Sequence, residues 1–431
     1  MSPIKFFRFS LLSGAALAVG SAFAQTTDSS QAILNALVRK GVLSADEAKQ
    51  VAADAAKAVA GDDVVTNPAD KYIKRLTLTG RFQVQFADLG TGIANAAANP
   101  AATQHFLLRR IYLGTRVDFT NSLSGYVNYD FANVSFDAAF IEWKQSDAFV
   151  LDAGLKKVPF NYEEVTSSGS LKAIERSTVT RFFDEPNNGR RLGAASYRTG
   201  LYLSGTEGGL FYSVAATNPE RNEYSGDGTS GPTINGNVGV NGASTNTNNN
   251  IAYFGWAGYG DKFSGGTYKV GVEGGFLPDQ GGPGTTLGQG NNISEYGVFA
   301  DVAAGDFNIQ AEYLSAKDDH GVSATQDAKP TGYWVQPSYY VIPKVLEAVV
   351  RYSYIDSDHR GVAISDGIRS APSGGTMDKL SEWYIGGNWY IQGNDVKLQA
   401  GYIHGESKDT VTGASASAKT DGLRSQMQIN F

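Results

Sequence analysis

The sequence predicts an all-β protein: a sixteen-stranded antiparallel transmembrane β-barrel preceded by a short helical, coiled-coil-like periplasmic segment. Three observations carry this reading. The chain opens with an export leader, its body alternates apolar and polar residues from about residue 72 onward, and its connections alternate between short and long. The last strand shows the pattern most plainly. In Ser425-Gln426-Met427-Gln428-Ile429-Asn430-Phe431, the residues Met427, Ile429 and Phe431 fall on one side and Gln426, Gln428 and Asn430 on the other, as in a wall with lipid outside and water inside.

Lys5 and Arg8, the apolar run 11–19 and the small residues through Ser21-Ala22-Phe23-Ala24 read as a secretory signal. The expected divisions are therefore a signal peptide at 1–24, a periplasmic helical segment with its linker at 25–70, and the barrel at 71–431. No later stretch offers about 20 uninterrupted apolar residues, so a mature chain that crosses a membrane does so as strands. The 42% hydrophobic content with 51 Gly, 22 Tyr and 22 Phe, at a mean hydropathy of -0.24, suits strands that are each half polar.

Cysteine is absent, which excludes disulfide scaffolds, thiol nucleophiles and cysteine metal sites. His105, His320, His359 and His404 lie far apart, so no metal site, catalytic base or cofactor is expected. Removing Lys5 and Arg8 from the 36 basic side chains leaves 34 against 43 acidic ones, a net charge of -9, and no nucleic-acid partner is expected.

In 29–60, Ile33, Leu34, Leu37 and Val38 share a helical face. Gly41 interrupts, and Ser44 with Glu47 forms a capping box before an alanine-rich second helix. Its thin apolar stripe cannot bury a core alone, so the pair should associate with copies of itself or act as a helical linker. Residues 61–70, with Pro68, form a polar connector.

The first barrel strand sets Leu76, Leu78, Phe82, Val84 and Phe86 against Thr77, Thr79, Arg81, Gln83 and Gln85. Fifteen comparable segments follow, at about 105–119, 122–133, 136–145, 148–158, 189–204, 208–217, 251–260, 265–277, 292–304, 306–315, 331–341, 345–356, 380–391, 394–405 and 421–431. Tight turns are expected at 120–121, 146–147, 205–207, 261–262, 305, 342–344 and 393, with long polar loops between them and one short link near 133–135. Short turns on one rim and long loops on the other place both termini in the periplasm of a Gram-negative bacterium, with the barrel in its outer-membrane lipid. Trp143, Trp256, Tyr259, Trp383, Tyr384, Trp389 and Tyr390 are expected as interfacial girdles. A soluble sandwich or propeller would need a repeat or an apolar inner face, and the inner parity here carries Arg, Asn, Gln and Asp.

The chemistry concentrates between Lys156 and Arg191, where seven basic side chains meet five acidic ones. Such a loop either pins itself to the wall by salt bridges or folds into the lumen and sets ion preference. Parity sends Arg110 and Arg116 to the lumen and Leu107, Ile111, Leu113 and Val117 to lipid. Arg109, on the apolar parity, is expected at a rim, where its head can reach water. Asp118, Asp130, Glu142 and Asp152 are expected to form an opposing acidic wall, with Lys156 also facing water.

The stretch Leu155-Lys156-Lys157-Val158-Pro159-Phe160-Asn161-Tyr162-Glu163-Glu164-Val165-Thr166-Ser167-Ser168, then Ile174-Glu175-Arg176-Ser177 and Gly189-Arg190-Arg191-Leu192-Gly193, resembles the phosphate-selective porin O and P family. The similarity runs from Leu76-Thr77-Leu78-Thr79-Gly80-Arg81 to Phe431. It implies a homotrimer of sixteen-stranded pores, a third loop folded inward between strands five and six, and small-anion passage past arginines and lysines. By motif, Arg176 matches the family's central third-loop arginine. Glu164 and Gly169 stand where phosphate-specific members carry lysines, a departure that bears on phosphate binding. In the barrel family a terminal aromatic such as Phe431 also resembles the signal read by the assembly machinery.

The expectation is therefore an outer-membrane porin for passive diffusion of small hydrophilic solutes, with an anion or phosphate preference open and the third loop as constriction. Arg81, Arg110, Arg116, Lys156, Arg176 and Arg191 would line it, opposite Asp118, Asp130, Glu142, Asp152 and Glu164. A barrel enzyme of the lipase or protease class would need a nucleophile, a His base and an orienting acid, which the scattered serines and histidines do not assemble. A structural or adhesive barrel would use loops such as 218–250.

Overall fold

The computed structural model describes residues 73–219, 251–278, 292–411 and 416–431, with Ser44, Lys49 and Asp63–Val64. The expected signal peptide at 1–24 lies outside the described residues, as do the paired helices at 29–60 and the connector at 61–70, apart from those four positions. The chain divides into two units, Met1–Asp63 and Val64–Phe431, and the second holds the barrel.

Alternation of side chains across an extended backbone makes each barrel segment a wall element with two different faces. The first six are β1 (Arg75–Ile93), β2 (Thr103–Asp118), β3 (Leu123–Asp130), β4 (Ser135–Ser146), β5 (Phe149–Lys157) and β6 (Tyr197–Glu207). The next five are β7 (Leu210–Thr217), β8 (Ala252–Phe263), β9 (Gly266–Leu277), β10 (Ile293–Ala304) and β11 (Phe307–Ser323). Then come β12 (Thr331–Ile342), β13 (Leu346–Asp356), β14 (Lys379–Gln392), β15 (Val396–Lys408) and β16 (Ser417–Asn430). Each pairs antiparallel with its neighbours in sequence, and β16 closes on β1 from Arg81 opposite Asn430 to Ile93 opposite Ala418. Phe431 finishes the seam. Gly80 donates to its carbonyl at 2.7 Å, it donates back at 3.1 Å, and its ring stacks on Phe82.

Outward positions such as Leu78, Phe82, Val84, Ile141, Leu201, Val272 and Ile385 are exposed, while Gln83, Gln85, Asn128, Asp152, Gln426 and Gln428 face inward. A cationic side chain on the lipid face costs about 2–4 kcal/mol at mid-bilayer, which fixes this parity.

Local chemistry shifts several expected boundaries. Strand six begins at Tyr197 rather than 189, because Gly189 (φ 90°), Gly193 (φ 67°) and Ser196 (φ 76°) are left-handed and cannot join a ladder. The turn expected at 205–207 sits at Gly208 and Gly209, and the one expected at 261–262 lies past Phe263. Arg109 is not at a rim. A bulge in β2 pairs Gln83 with Arg110 but Val84 with Leu108, so the extra residue turns Arg109 inward beside Arg110 and sends Phe106 and Leu108, rather than Leu107, to lipid. Among the expected girdle aromatics, Trp143, Trp383 and Trp389 are exposed, but Tyr384 and Tyr390 are buried on the lumenal side. Adjacent residues of one strand cannot both face lipid.

Two loops on the long-loop rim fold inward. Loop 3 (158–196) carries α1 (Tyr162–Val165) and α2 (Thr178–Asp184), and loop 7 (357–378) carries α3 (Ile364–Gly367). Phe160, Ile174, Val179, Phe182, Phe183, Ile364 and Ile368 form one buried cluster with the inward-facing Leu89, Val349, Ile355, Leu380 and Ile403. The inner wall is therefore apolar where loops cover it and polar elsewhere. This burial is what makes the inward fold of loop 3 favourable.

Gly154 in β5 has φ 137°, and a Cβ there would stand 2.3 Å from the Ala139 carbonyl oxygen. Gly154→Ala is expected to cost on the order of 1–3 kcal/mol. The measurement is the denaturation midpoint of the folded band in semi-native gels, and an unchanged midpoint would contradict this strain.

Candidate functional site

Loop 3 crosses the lumen because both its backbone and its charges find partners on the far wall. Lumenal amides form a belt: Gln85 donates to Gln426 at 2.8 Å, Gln426 to Gln399 at 2.7 Å, and Gln399 to Asn388 at 2.9 Å. Loop carbonyls dock on that wall. Gln428 donates to Gly169 at 2.9 Å, and Lys397 to Leu171 at 2.9 Å. On β13, Arg351 is buried and bonds Glu163 of the loop at 3.1 Å and Glu382 of β14 at 3.0 Å. On β11, Glu312 accepts from the Trp334 indole at 2.8 Å and from the Tyr162 N–H at the start of α1.

The opposite edge of the loop faces β2–β6 across a cavity of about 330 Å³. Arg109 grips Glu175 through both carboxylate oxygens at 2.6 and 3.1 Å, while Arg369 from loop 7 and Gln85 from β1 bind the same carboxylate at 3.2 and 2.8 Å. Glu185 is likewise shared by Arg181, Arg191 and Arg369. Burial alone would raise both carboxyls, but the facing guanidiniums hold Glu175 and Glu185 below the ordinary carboxylate range. Loop 7 is latched to loop 3 a second time, by Arg190 on Asp366 at 2.6 and 3.1 Å.

The six expected cations do not form one cluster. Arg110 lines the cavity, and its side-chain bond among the described residues is to Gln83 at 2.8 Å. Arg176 lines it too, but pairs with Glu164 at 2.8 Å and donates to the carbonyls of Glu163, Glu164 and Thr166. Arg191 pairs with Glu185. Arg81 holds Ser167, Ser168 and Asn430, with its guanidinium against Gly169. Arg116 lies lower, in a cavity of about 390 Å³ at the short-turn rim, and Lys156 lies in a third cavity of about 410 Å³.

The acids are not an opposing wall. Asp118 and Glu142 hold Arg116 at 3.0 and 2.7 Å, Asp152 binds Lys156, and Asp130 caps the backbone N–H groups of Ile111 and Ala132. β2 to β5 are neighbours, so inward residues on them stand side by side. Inward-facing acids on the far strands include Glu295, Glu312 and Glu347, on β10, β11 and β13. Sequence reasoning left Arg109, Lys157, Glu175, Arg351 and Arg369 outside the set of pore residues. Arg351 carried a signal, a charge within the apolar run Val349-Val350-Arg351-Tyr352. Arg369 carried none, because nothing in its loop marks inward folding.

The cavity lining holds six basic side chains, Arg109, Arg110, Lys157, Arg176, Arg181 and Arg369, and six acidic ones, Asp130, Asp137, Glu164, Glu175, Asp184 and Glu185. Three of the acids are shared between two or more cations. Charges of both signs across a narrow opening align water and slow apolar solutes.

A family model described as phosphate-selective porin O and P matches residues 76–431. Among solved structures, the outer membrane channel DcaP of Acinetobacter baumannii aligns at TM-score 0.52 and 14% identity, covering 85% of this chain and 100% of that one. An anion-selective porin from Comamonas acidovorans aligns at 0.51 and 13%, covering 81% and 99%, and Salmonella typhi OmpF at 0.50 and 12%, covering 83% and 98%. At these identities the likeness is one of fold. No curated protein sequence matches significantly.

Arg351 stands between Glu163 and Glu382 with all three side chains nearly inaccessible. Arg351→Ala leaves two buried carboxylates without their cation, at an expected cost of about 3–5 kcal/mol. Single-channel recording should show higher, noisier conductance as loop 3 loosens. A quiet channel of native conductance would mean that the pair does not hold the loop.

Proposed function

Since the chain belongs to the phosphate-selective porin O and P family, and is thus an outer-membrane channel of a Gram-negative bacterium, we propose that it passes small hydrophilic solutes with a modest preference for anions. Loop 3 sets the constriction. The observation that carries the anion preference is Arg110, a guanidinium on the cavity wall bonded to the neutral Gln83, with no carboxylate partner among the described residues. Arg176, matched by motif to the family's central third-loop arginine, is instead neutralised by Glu164. This supports weak general anion passage over tight phosphate binding.

Arg110, itself almost fully buried in the cavity wall, attracts an anion held in the cavity, where at the dielectric of water one unit charge at 4 Å contributes about 1 kcal/mol. Arg116 and Lys156 act similarly nearer the periplasm, weakened by Asp118, Glu142 and Asp152. A homotrimer in the outer membrane is the assembly we favour, and the outward-facing, exposed Phe431 is available to the barrel-assembly machinery before the seam closes.

Reversal potentials in a KCl gradient across a planar bilayer test this reading. The native channel should favour chloride; Arg110→Gln should lower that preference severalfold, by the roughly 1 kcal/mol above, and Glu164→Gln, which frees Arg176, should raise it and introduce block by phosphate. A native channel that favours potassium would overturn the anion reading.

A further inference from the structure

We propose that the cavity between loop 3 and the short-turn rim binds small aromatic carboxylates, with Lys269 as the cation and a set of lumenal rings as the platform. The inference rests on the channel assignment above but uses a different part of the lumen. Lys269, on β9, has its ammonium 4.4 Å from the ring centre of Phe211, 5.1 Å from Trp256, 5.4 Å from Tyr162 and 5.9 Å from Phe299.

These rings come from β7, β8, β10 and loop 3, and they hold one another in place. Tyr162 stacks on Phe299 at 4.6 Å and 7°, its hydroxyl fixed by Asp301 at 2.7 Å, and Trp256 packs on Phe299 at 5.7 Å. Two inward-facing glycines make the room. A Cβ at Gly258 would stand 2.3 Å from the Phe211 ring, and one at Gly271 would stand 2.5 Å from the Phe299 ring. The platform is thus built into the wall rather than assembled by a ligand.

Ring faces satisfy the charge of an ammonium but leave its N–H donors without an acceptor. Among the described residues, Lys269 has no salt-bridge partner, and it lines the open cavity of about 410 Å³. That lining holds four lysines, of which Lys144, Lys156 and Lys157 are paired with Asp147, Asp152 and Glu164, so Lys269 is the one that offers a charge, together with the rings of Tyr202, Phe211, Tyr212 and Trp256.

An occupant that uses both features has an anionic group for Lys269 and a flat apolar body for the rings. Inorganic phosphate would gain nothing from the aromatic surface, and a neutral sugar could accept a hydrogen bond but would leave the ammonium charge unpaired. The volume lies within the range of small-molecule sites, roughly 300–1,000 Å³. Loop 3 forms the ceiling through Pro159 and Val165, so the site is placed to receive solute that has passed the constriction.

The test is single-channel recording of the full protein in KCl with benzoate or acetate added on the short-turn side. Benzoate should cause concentration-dependent current interruptions that acetate does not. Lys269→Met and, separately, Trp256→Ala should weaken the benzoate effect by roughly tenfold or more, while channels of each variant still open in KCl, which reports that the barrel has folded. Lys262→Ala, at the exposed end of β8, should leave the interruptions as they are. Equal effects of benzoate and acetate, or interruptions that survive both substitutions, would overturn the site. A protein that forms no conducting channel in KCl would overturn the channel assignment, and this inference with it.

Discussion

The carboxylate of Glu175 ties together the parts that make this barrel a selective pore. It accepts from Arg109 on β2, Gln85 on β1 and Arg369 on loop 7, while belonging itself to loop 3. Four segments far apart in sequence therefore share one anion. Removing the carboxylate would leave the buried Arg109 guanidinium without its anion, a much larger penalty than the pair's own net contribution. Such a junction does little for overall stability and much for uniqueness: loop 3 has one position in which every charge is answered. A barrel wall without it would still close, as β16 pairs with β1 along a backbone ladder in which Glu175 takes no part.

Loop position in turn decides what each side of the lumen can do. The wall from β13 to β1 is covered, its amides and Lys397 bonded to loop carbonyls and its apolar residues packed on loops 3 and 7. The cavities lie on the side lined by β2–β10, with Arg110 in the wall of one and Lys156 and Lys269 in the wall of another. Buried apolar contact holds the loops on one half, and the charged chemistry operates on the other. Lys157 lines both the cavity beneath Arg110 and the one around Lys269, so a solute leaving the first is already within reach of the second.

The wall was legible because lipid enforces period-2 alternation over every strand, and the sixteen expected segments correspond to β1–β16. The inside of the pore was legible only where a local signal survived. Gln426 and Gln428 face inward as their alternation requires, and the basic island between Lys156 and Arg191 does mark the loop that folds in. What alternation could not show was any residue whose environment is made by a distant segment. Arg109 changed face through one bulge opposite Gln83. Val349, Ile355 and Leu380 are apolar on the lumenal side because loops cover them, which erases the contrast that alternation depends on. Loop 7 has no charge run and no family motif to announce it, so Asp366 and Arg369 were invisible as partners.

The departures at Glu164 and Gly169 have a common physical consequence. Glu164 neutralises Arg176 and Lys157 together, turning the loop's cations inward to hold backbone carbonyls instead of offering them to solute. Gly169 leaves a space filled by the Arg81 guanidinium, where a Cβ would stand 2.7 Å from its nearest nitrogen. A lysine at 169 and Arg81 in its present position cannot coexist without one of them moving. Under the proposed reading, the chain exchanges loop cations for wall cations. Arg81 becomes a fastener for loop 3, and attraction for anions falls to Arg110 on the adjacent strand. A charge fixed on a strand is held more rigidly than one on a loop, but it acts across water rather than in a closed pocket. That difference favours passage of many small anions over retention of one.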